Sequence, residues 1–390
     1  MRILFFHKNF PGRFGFMAAH LAANPEHEVL FASCHQRSGA AVPRVRRVIV
    51  KPDAARRPPR EENYAQIWCG AMLSGKSRYT FLERLNAEFQ PHWVLSSAFG
   101  GISFFVPRAF PQAFHVFYAG LEHAPRTAEG LSEAKKAELA MQGMQALQSR
   151  LCFAFCEEQR NLFPEVLRPA VRLMTPWVDT DWMRPGISAG FQHGTFTPAP
   201  GSELVSFDMQ GAAAARASSL LKLAAALLGA RPSCRMVLCF GGNPVRGMFE
   251  AWHGGLPESL RRRVCLADFL RPGEYRDLFR ASAIHVCAEA RPSPPPGWLE
   301  AMSCGAALMM PAPAADALLK PGENMLPFPS GGWEEQLEAV VEALDQPDRL
   351  AAIGAGARRD IVKALSPQVL VPPHVALLLA EYEAFRKENA

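Results

Sequence analysis

Two nucleotide-binding signatures are missing from this 390-residue chain, which contains neither GxGxxG nor GxxxxGK[ST]. A dinucleotide fingerprint or a P-loop is therefore unsupported. No stretch approaches the ~18 consecutive apolar residues of a membrane span. The opening apolar run, Ile3 to Phe6, is only four residues long before His7 and Lys8, too short for a secretory leader. The expectation is a cytoplasmic protein, at most peripheral to an inner membrane. The nine cysteines are odd in number and scattered, and none forms CxxC. Buried reduced thiols are the first reading, with metal ligands or disulfides as alternatives. Cys152 and Cys156 lie in LCFAFC, which reads as a buried strand. No acid pair or histidine cluster calls for a metal, and no short repeats occur.

What is present is an ordinary globular composition, 49% hydrophobic and 20% charged. The length suggests two or three domains. The net charge of +5 is small and does not point to nucleic acid. Its distribution is uneven. Between Arg37 and Arg60 stand eight Arg or Lys and one acid, Asp53, a net +7 that leaves the remainder close to −2. Three readings stand for this segment: a solvated loop face, a surface for an anionic acceptor or membrane, and nucleic acid. The last is disfavoured because no aromatics are interleaved.

The hydrophobic pattern alternates short apolar runs with helical stretches. Strands are expected at Ile3 to Phe6, His27 to Ala32, Val45 to Val50, Trp93 to Ser97, Phe114 to Tyr118, Phe153 to Phe155 and Val171 to Met174. The stretch from Glu61 to Phe89 reads as one long helix or two around Gly75. A second series has strands beginning near Leu204, Met236, Val264, Ile284 and Ala307, and its last helix begins near His374. Strand–turn–helix–strand order implies parallel sheets. The fold expected is α/β, with two Rossmann-like domains facing each other across a cleft. Residues 1–178 form the first and 186–365 the second, with a terminal helix at 370–390 packing back on the first.

Ligands of open parallel sheets bind at the carboxyl ends of strands, which directs attention to Gly12, to Gly100-Gly101 and to Gly241-Gly242. Glycine permits close backbone approach and leaves N–H groups as donors, although turn punctuation alone also explains it. The most informative stretch runs from Arg291 to Gly305, where a proline loop enters a short helix. Free N–H groups at that helix start suit a diphosphate. Glu300, expected in the first turn, could accept from two ribose hydroxyls, or could serve the helix dipole.

Leu299-Glu-Ala-Met-Ser-Cys-Gly305 followed by Ala-Ala-Leu-Met resembles the nucleotide-sugar signature of the family 4 glycosyltransferases, a retaining group of the GT-B fold. The opening Ile3-Leu-Phe-Phe-His-Lys-Asn-Phe-Pro-Gly-Arg-Phe14 resembles a bacterial branch with an Asn-Phe-Pro-Gly loop. Trp177-Val-Asp-Thr-Asp-Trp-Met-Arg-Pro185 is similar to its interdomain connector, and Gly322-Glu-Asn-Met-Leu326 to its late turn. The likeness runs from residue 1 to about 360. It implies that Glu300 holds the donor ribose and that the backbone of Gly297, Trp298 and Leu299 wraps the diphosphate. Gly241 and Gly242 would lie beside the nucleotide, Phe269 and Leu270 at the base, Arg216 at the phosphates and Gly12 facing the donor. His123 is the candidate for the catalytic histidine.

The sequence departs from that pattern in three places. Pro292 stands where the family commonly has a first glutamate, Gln210 replaces a second phosphate cation, and Gly211-Ala-Ala-Ala-Ala-Arg216 is plain. The resemblance implies a retaining transferase using a UDP- or GDP-sugar donor and an acceptor the sequence does not identify, with no cofactor and no metal. A catalytically silent sugar- or nucleotide-binding relative is the alternative, and an epimerase on the same fold a remoter one.

Overall fold

The computed structural model describes residues 1–36, 41–50, 63–97, 101–120, 133–186, 190–199, 201–210, 212, 214–243, 245–287, 296–311 and 318–389. The chain divides into two compact units, Met1–Pro176 with Leu370–Ala390, and Trp177–Val369.

In the first unit the strands are β1 (Arg2–Phe6), β2 (Asn9–Phe10), β3 (Glu28–Ser33), β4 (His35–Gln36), β5 (Val45–Ile49), β6 (Trp93–Ser97), β7 (Phe114–Tyr118), β8 (Leu151–Ala154) and β9 (Val171–Leu173). Seven of them form one sheet in the order β5-β3-β1-β6-β7-β8-β9, while β2 and β4 pair separately. Every pairing is parallel. The central strands β6 and β7 are buried at all positions, which is why they read as continuous apolar runs. The chain builds outward from β1 in one direction and then returns beside β1 with β6. The switch point of this sheet therefore lies between the ends of β1 and β6.

The second unit contains β10 (Glu203–Asp208), β11 (Cys234–Cys239), β12 (Val264–Ala267), β13 (Ile284–Cys287), β14 (Ala307–Met310) and β15 (Leu326–Pro327). Their order is β12-β11-β10-β13-β14-β15, parallel throughout. Its switch point lies between β10 and β13. The helix Ala214–Ala230 buries Ala217, Leu220, Leu223, Ala224 and Leu227 against Val205, Phe207 and Met236 of the sheet. Each such leucine or phenylalanine contributes ~1.5–3 kcal/mol by leaving water. The aperiodic stretch around Phe191 and Phe196 covers the other face, packing on Leu204, Val237 and Cys265.

The structure decides between the two readings of one helix and extends another. Tyr64–Phe89 is one helix, continuous through Gly75. A Cβ at Gly75 would stand 2.4 Å from the Gly101 carbonyl oxygen and 2.6 Å from the Phe105 ring. That glycine serves close packing against the helix Ile102–Ala109 and does not break its own. The terminal helix begins at Pro367 and continues through Pro372 and Pro373, where proline should end it. Burial of Val371, Val375, Leu378 and Tyr382 outweighs that local cost. The stretch Pro347–Glu388 contains a window long and apolar enough to cross a membrane by length and composition. The connector after Trp177 packs within the second unit. There the Ser303 hydroxyl donates to the Met183 carbonyl, and Arg358 Nη1 donates to the same oxygen at 3.0 Å.

Candidate functional site

The carboxyl edge of the second sheet gathers most of the residues singled out above. After β10, Asp208 Oδ1 accepts the Gln210 N–H at 2.8 Å. After β11, Gly241 and Gly242 have φ of +56° and +82°, a left-handed pair that only glycine adopts without strain. The Gln210 side chain lies against Gly241, where a Cβ would approach its Cγ and Cδ to 2.7 Å. The Asn243 amide donates to the carbonyls of Met209 at 2.8 Å and Ala212 at 3.2 Å, lacing the loops after β10 and β11 together. The N–H groups of the glycine pair are not open donors, contrary to the sequence reading. Gly241 donates to the Asp268 carbonyl at 2.9 Å and Gly242 to Asp268 Oδ1 at 2.8 Å. The pair contributes shape.

Phe269 follows Asp268 at the end of β12 and is 74% exposed, unusual for a phenylalanine. Its Cζ lies 3.4 Å from where a Gly242 Cβ would be. Leu270 turns inward onto the apolar cluster around Phe191 and Leu278. Arg216 is half-buried in the helix after the alanine loop, with its guanidinium 5.5 Å from the Phe328 ring centroid.

The helix after β13 spans Pro296–Cys304, so Glu300 is its fifth residue and lies past the first turn. Pro296 has no N–H, and Gly297, Trp298 and Leu299 carry the N–H groups that have no partner within the helix. Gly305 ends it with φ +81°, a left-handed stop. Gly297, Trp298 and Leu299 are buried, and Glu300 is partly so. Tyr275, on the helix Pro272–Ala281, brings its hydroxyl to Gly297, where a Cβ would stand 2.3 Å from it. Desolvation pushes the Tyr275 hydroxyl well above its ordinary pKa, and the charges of Asp208 and Glu300 add to that shift. These carboxylates therefore share one neighbourhood with the helix start.

Asp208, Asp268 and Tyr275 were not singled out from the sequence. The two aspartates do carry a usable signal, since each stands at or directly after the end of an apolar strand. Among the described residues no group of three or more His, Cys, Asp or Glu is placed to hold a metal ion.

In the first unit Gly12 has φ +49°, and a Cβ there would stand 2.5 Å from the His7 ring. His7 Nδ1 accepts the Asn9 N–H at 3.1 Å. The neighbouring Arg13 lies 4.3 Å over the Phe155 ring. Gly120 follows β7, with its N–H and carbonyl both held by the Gln142 amide, at 3.0 and 3.3 Å. His123, Pro292 and Gly100 lie outside the described residues, as do Arg56, Arg57 and Arg60. The described part of the basic segment is engaged with its own unit. Arg44 donates to the Ala23 carbonyl, Arg46 pairs with Glu28 at 2.7 Å, and Arg47 lies 5.2 Å from the Phe10 ring centroid. These arginines flank or lie on β5, an edge strand, where charge discourages pairing with another chain.

Known proteins resemble this chain over one sequence segment and in fold. Residues 218–369 match the family model described as glycosyl transferase-like. No curated protein matches the chain in sequence. Among solved structures, sucrose-phosphate synthase from Thermosynechococcus elongatus is similar, with a TM-score of 0.66 at 13% identity over 98% of this chain and 100% of that one. HepE from Anabaena, in complex with UDP-glucose, gives 0.65 at 13% identity, covering 97% and 99%. A UDP-N-acetylglucosamine 2-epimerase from Listeria monocytogenes gives 0.60 at 12% identity, covering 98% and 97%. The fold is GT-B, two parallel-sheet α/β domains. The matched domain and this fold together support a transferase of the glycosyltransferase superfamily.

Proposed function

We propose that the chain is a retaining glycosyltransferase moving a sugar from a UDP- or GDP-sugar to an acceptor, with the donor on the second unit. The observation that carries this reading is the grouping of these residues along the carboxyl edge of the second sheet, on either side of the β10–β13 switch point. The left-handed glycine pair, the exposed Phe269 ring and the N-terminus of Pro296–Cys304 lie along that edge. That edge is where doubly wound sheets bind nucleotides. The Phe269 ring and the main chain at Leu270 suit a base, and Glu300 suits the ribose hydroxyls. The N–H groups of Gly297, Trp298 and Leu299, with the Arg216 guanidinium, suit the diphosphate. The HepE neighbour binds UDP-glucose, which favours the same ligand class here.

The chemistry would be stabilisation of the departing diphosphate by fixed donors and positive charge. Gly12 keeps the donor-facing role and His123 the catalytic role that the resemblance implies, both on the acceptor-side unit, and no metal or cofactor is invoked. Arg56, Arg57 and Arg60 would serve that side too, so reversing all three to Glu should reduce transfer or vesicle binding without altering nucleotide affinity.

One observation favours the silent alternative: a neutral amide, Gln210, packs on Gly241 at the position the resemblance assigns to a cation. Turnover of the donor without acceptor separates an enzyme from a silent relative. The first test is a thermal-shift screen of UDP, GDP, ADP and their sugars. A ligand at 100 times its dissociation constant adds ~2.7 kcal/mol of stability. Stabilisation by UDP or GDP supports the donor reading, and no shift with any nucleotide contradicts it.

A further inference from the structure

We propose that Asp268 and Arg246 are a positioning pair for the nucleotide, holding the Gly241–Gly242 turn in its ligand-ready shape. The inference rests on the donor reading above and adds two residues to it. Two consecutive residues at positive φ belong to no ladder, and glycine by itself populates many other conformations. Here one residue fixes both. The Asp268 carbonyl takes the Gly241 N–H at 2.9 Å, and its Oδ1 takes the Gly242 N–H at 2.8 Å.

The second carboxylate oxygen, Oδ2, pairs with Arg246 Nη1 at 3.1 Å. Arg246 also donates from Nε to Glu250 at 2.8 Å, which fixes the guanidinium from its other side. The chemistry explains why a cation belongs there. An aspartate beside a nucleotide diphosphate would repel it, and Arg246, which it shares with Glu250, reduces that charge while leaving Oδ1 to the turn. With the turn held, Gly242 lies beside the tip of the Phe269 ring, and the 74% exposure of that side chain leaves it accessible to a base. Asp268 and Arg246 touch no reacting atom, and they act through Gly241, Gly242 and Phe269.

The test is calorimetric titration of UDP and GDP into the wild-type chain and into Asp268→Ala, Asp268→Asn and Arg246→Met. Thermal melts would establish that each is folded at the titration temperature. Losing the charged acceptor in Asp268→Ala should weaken binding about tenfold or more. Asp268→Asn keeps an oxygen for the Gly242 N–H and should stay within about threefold of wild type. Arg246→Met leaves the carboxylate uncompensated and should fall between them. In a transfer assay the Asp268→Ala loss should lie in KM, with kcat unchanged.

Wild-type affinity in folded Asp268→Ala overturns the inference while the donor reading stands. So does an Asp268→Asn variant as weak as Asp268→Ala, since the hydrogen bond would then not be what matters. If Asp268→Ala does not fold, Arg246→Met decides, and wild-type affinity in that variant overturns the pair. A wild-type chain that binds neither UDP nor GDP overturns the donor reading and this inference with it.

Discussion

The hydroxyl of Tyr275 lies against the α-carbon of Gly297, so closely that a methyl group at Gly297 would stand 2.3 Å from the oxygen. The tyrosine has little room to yield, because its ring packs edge-on against Phe279 with centroids 4.4 Å apart. The contact joins the helix Pro272–Ala281 to the first turn of Pro296–Cys304, whose N–H groups are the proposed diphosphate donors.

Gly297→Ala should therefore displace that turn and weaken UDP binding by roughly 1–3 kcal/mol, the usual cost of overpacking. Tyr275→Phe deletes the oxygen and should recover much of the loss when combined with Gly297→Ala. Calorimetry on the two single variants and the double variant measures the coupling. Additive losses would show that the contact does not set the geometry of the helix start.

Acid should destabilise both units through buried neutral histidines. Burial lowers His285 from 6.5 to about 3 and His374 from 6.5 to about 4. His285 Nδ1 is held by Ser206 at 2.8 Å, and His374 Nε2 meets the Tyr118 hydroxyl at 2.8 Å. The folded state refuses protons that the unfolded chain accepts below pH 6.5. The stability conferred by the neutral rings is thus complete above that pH and is lost progressively as pH falls toward 4. The slope approaches ~1.4 kcal/mol per pH unit for each histidine. Denaturant melts from pH 7.5 to 4.5 should show this decline, and His374→Gln should flatten it. An unchanged slope in His374→Gln would contradict the assignment.

The leaving diphosphate gains charge as the glycosidic bond breaks, so a cation aimed at it acts mainly in the transition state. Arg216→Ala should then cut kcat by roughly 2.7–4 kcal/mol, on the scale of a lost oxyanion donor, with a smaller effect on donor affinity. Gln210→Arg should raise turnover by restoring a second cation beside Gly241. Steady-state transfer rates check both, and normal turnover in Arg216→Ala contradicts the mechanism.

The fold was legible where the apolar run of a strand or the apolar period of a helix was clear. The strands Trp93–Ser97, Phe114–Tyr118 and Ala307–Met310 and the helix Trp333–Leu344 coincide with their apolar periodicity. Some helices were not legible, two of them for a clear reason. Ile102–Ala109 contains Pro107, and Arg246–Gly255 ends in two glycines. Local propensity opposes both, and tertiary packing overrides it. The site divides similarly. Gly241, Gly242 and Glu300 could be singled out because glycine and acids are informative at strand ends and helix starts. Asp268 and Tyr275 act through contacts across 26 and 22 residues of chain, and no local pattern announces such pairs.

The most direct test of the donor site is calorimetric titration of UDP and GDP into the wild-type chain and Glu300→Ala. Glu300 is half-buried near Tyr275 and the helix start, and hydrogen bonds from ribose hydroxyls to a carboxylate are worth ~1.5–3 kcal/mol. The wild-type chain should bind one of the two nucleotides, and folded Glu300→Ala should bind it about 10- to 150-fold more weakly. Equal affinity in the two proteins, or no binding by either, would contradict a nucleotide-sugar site at this edge of the second sheet.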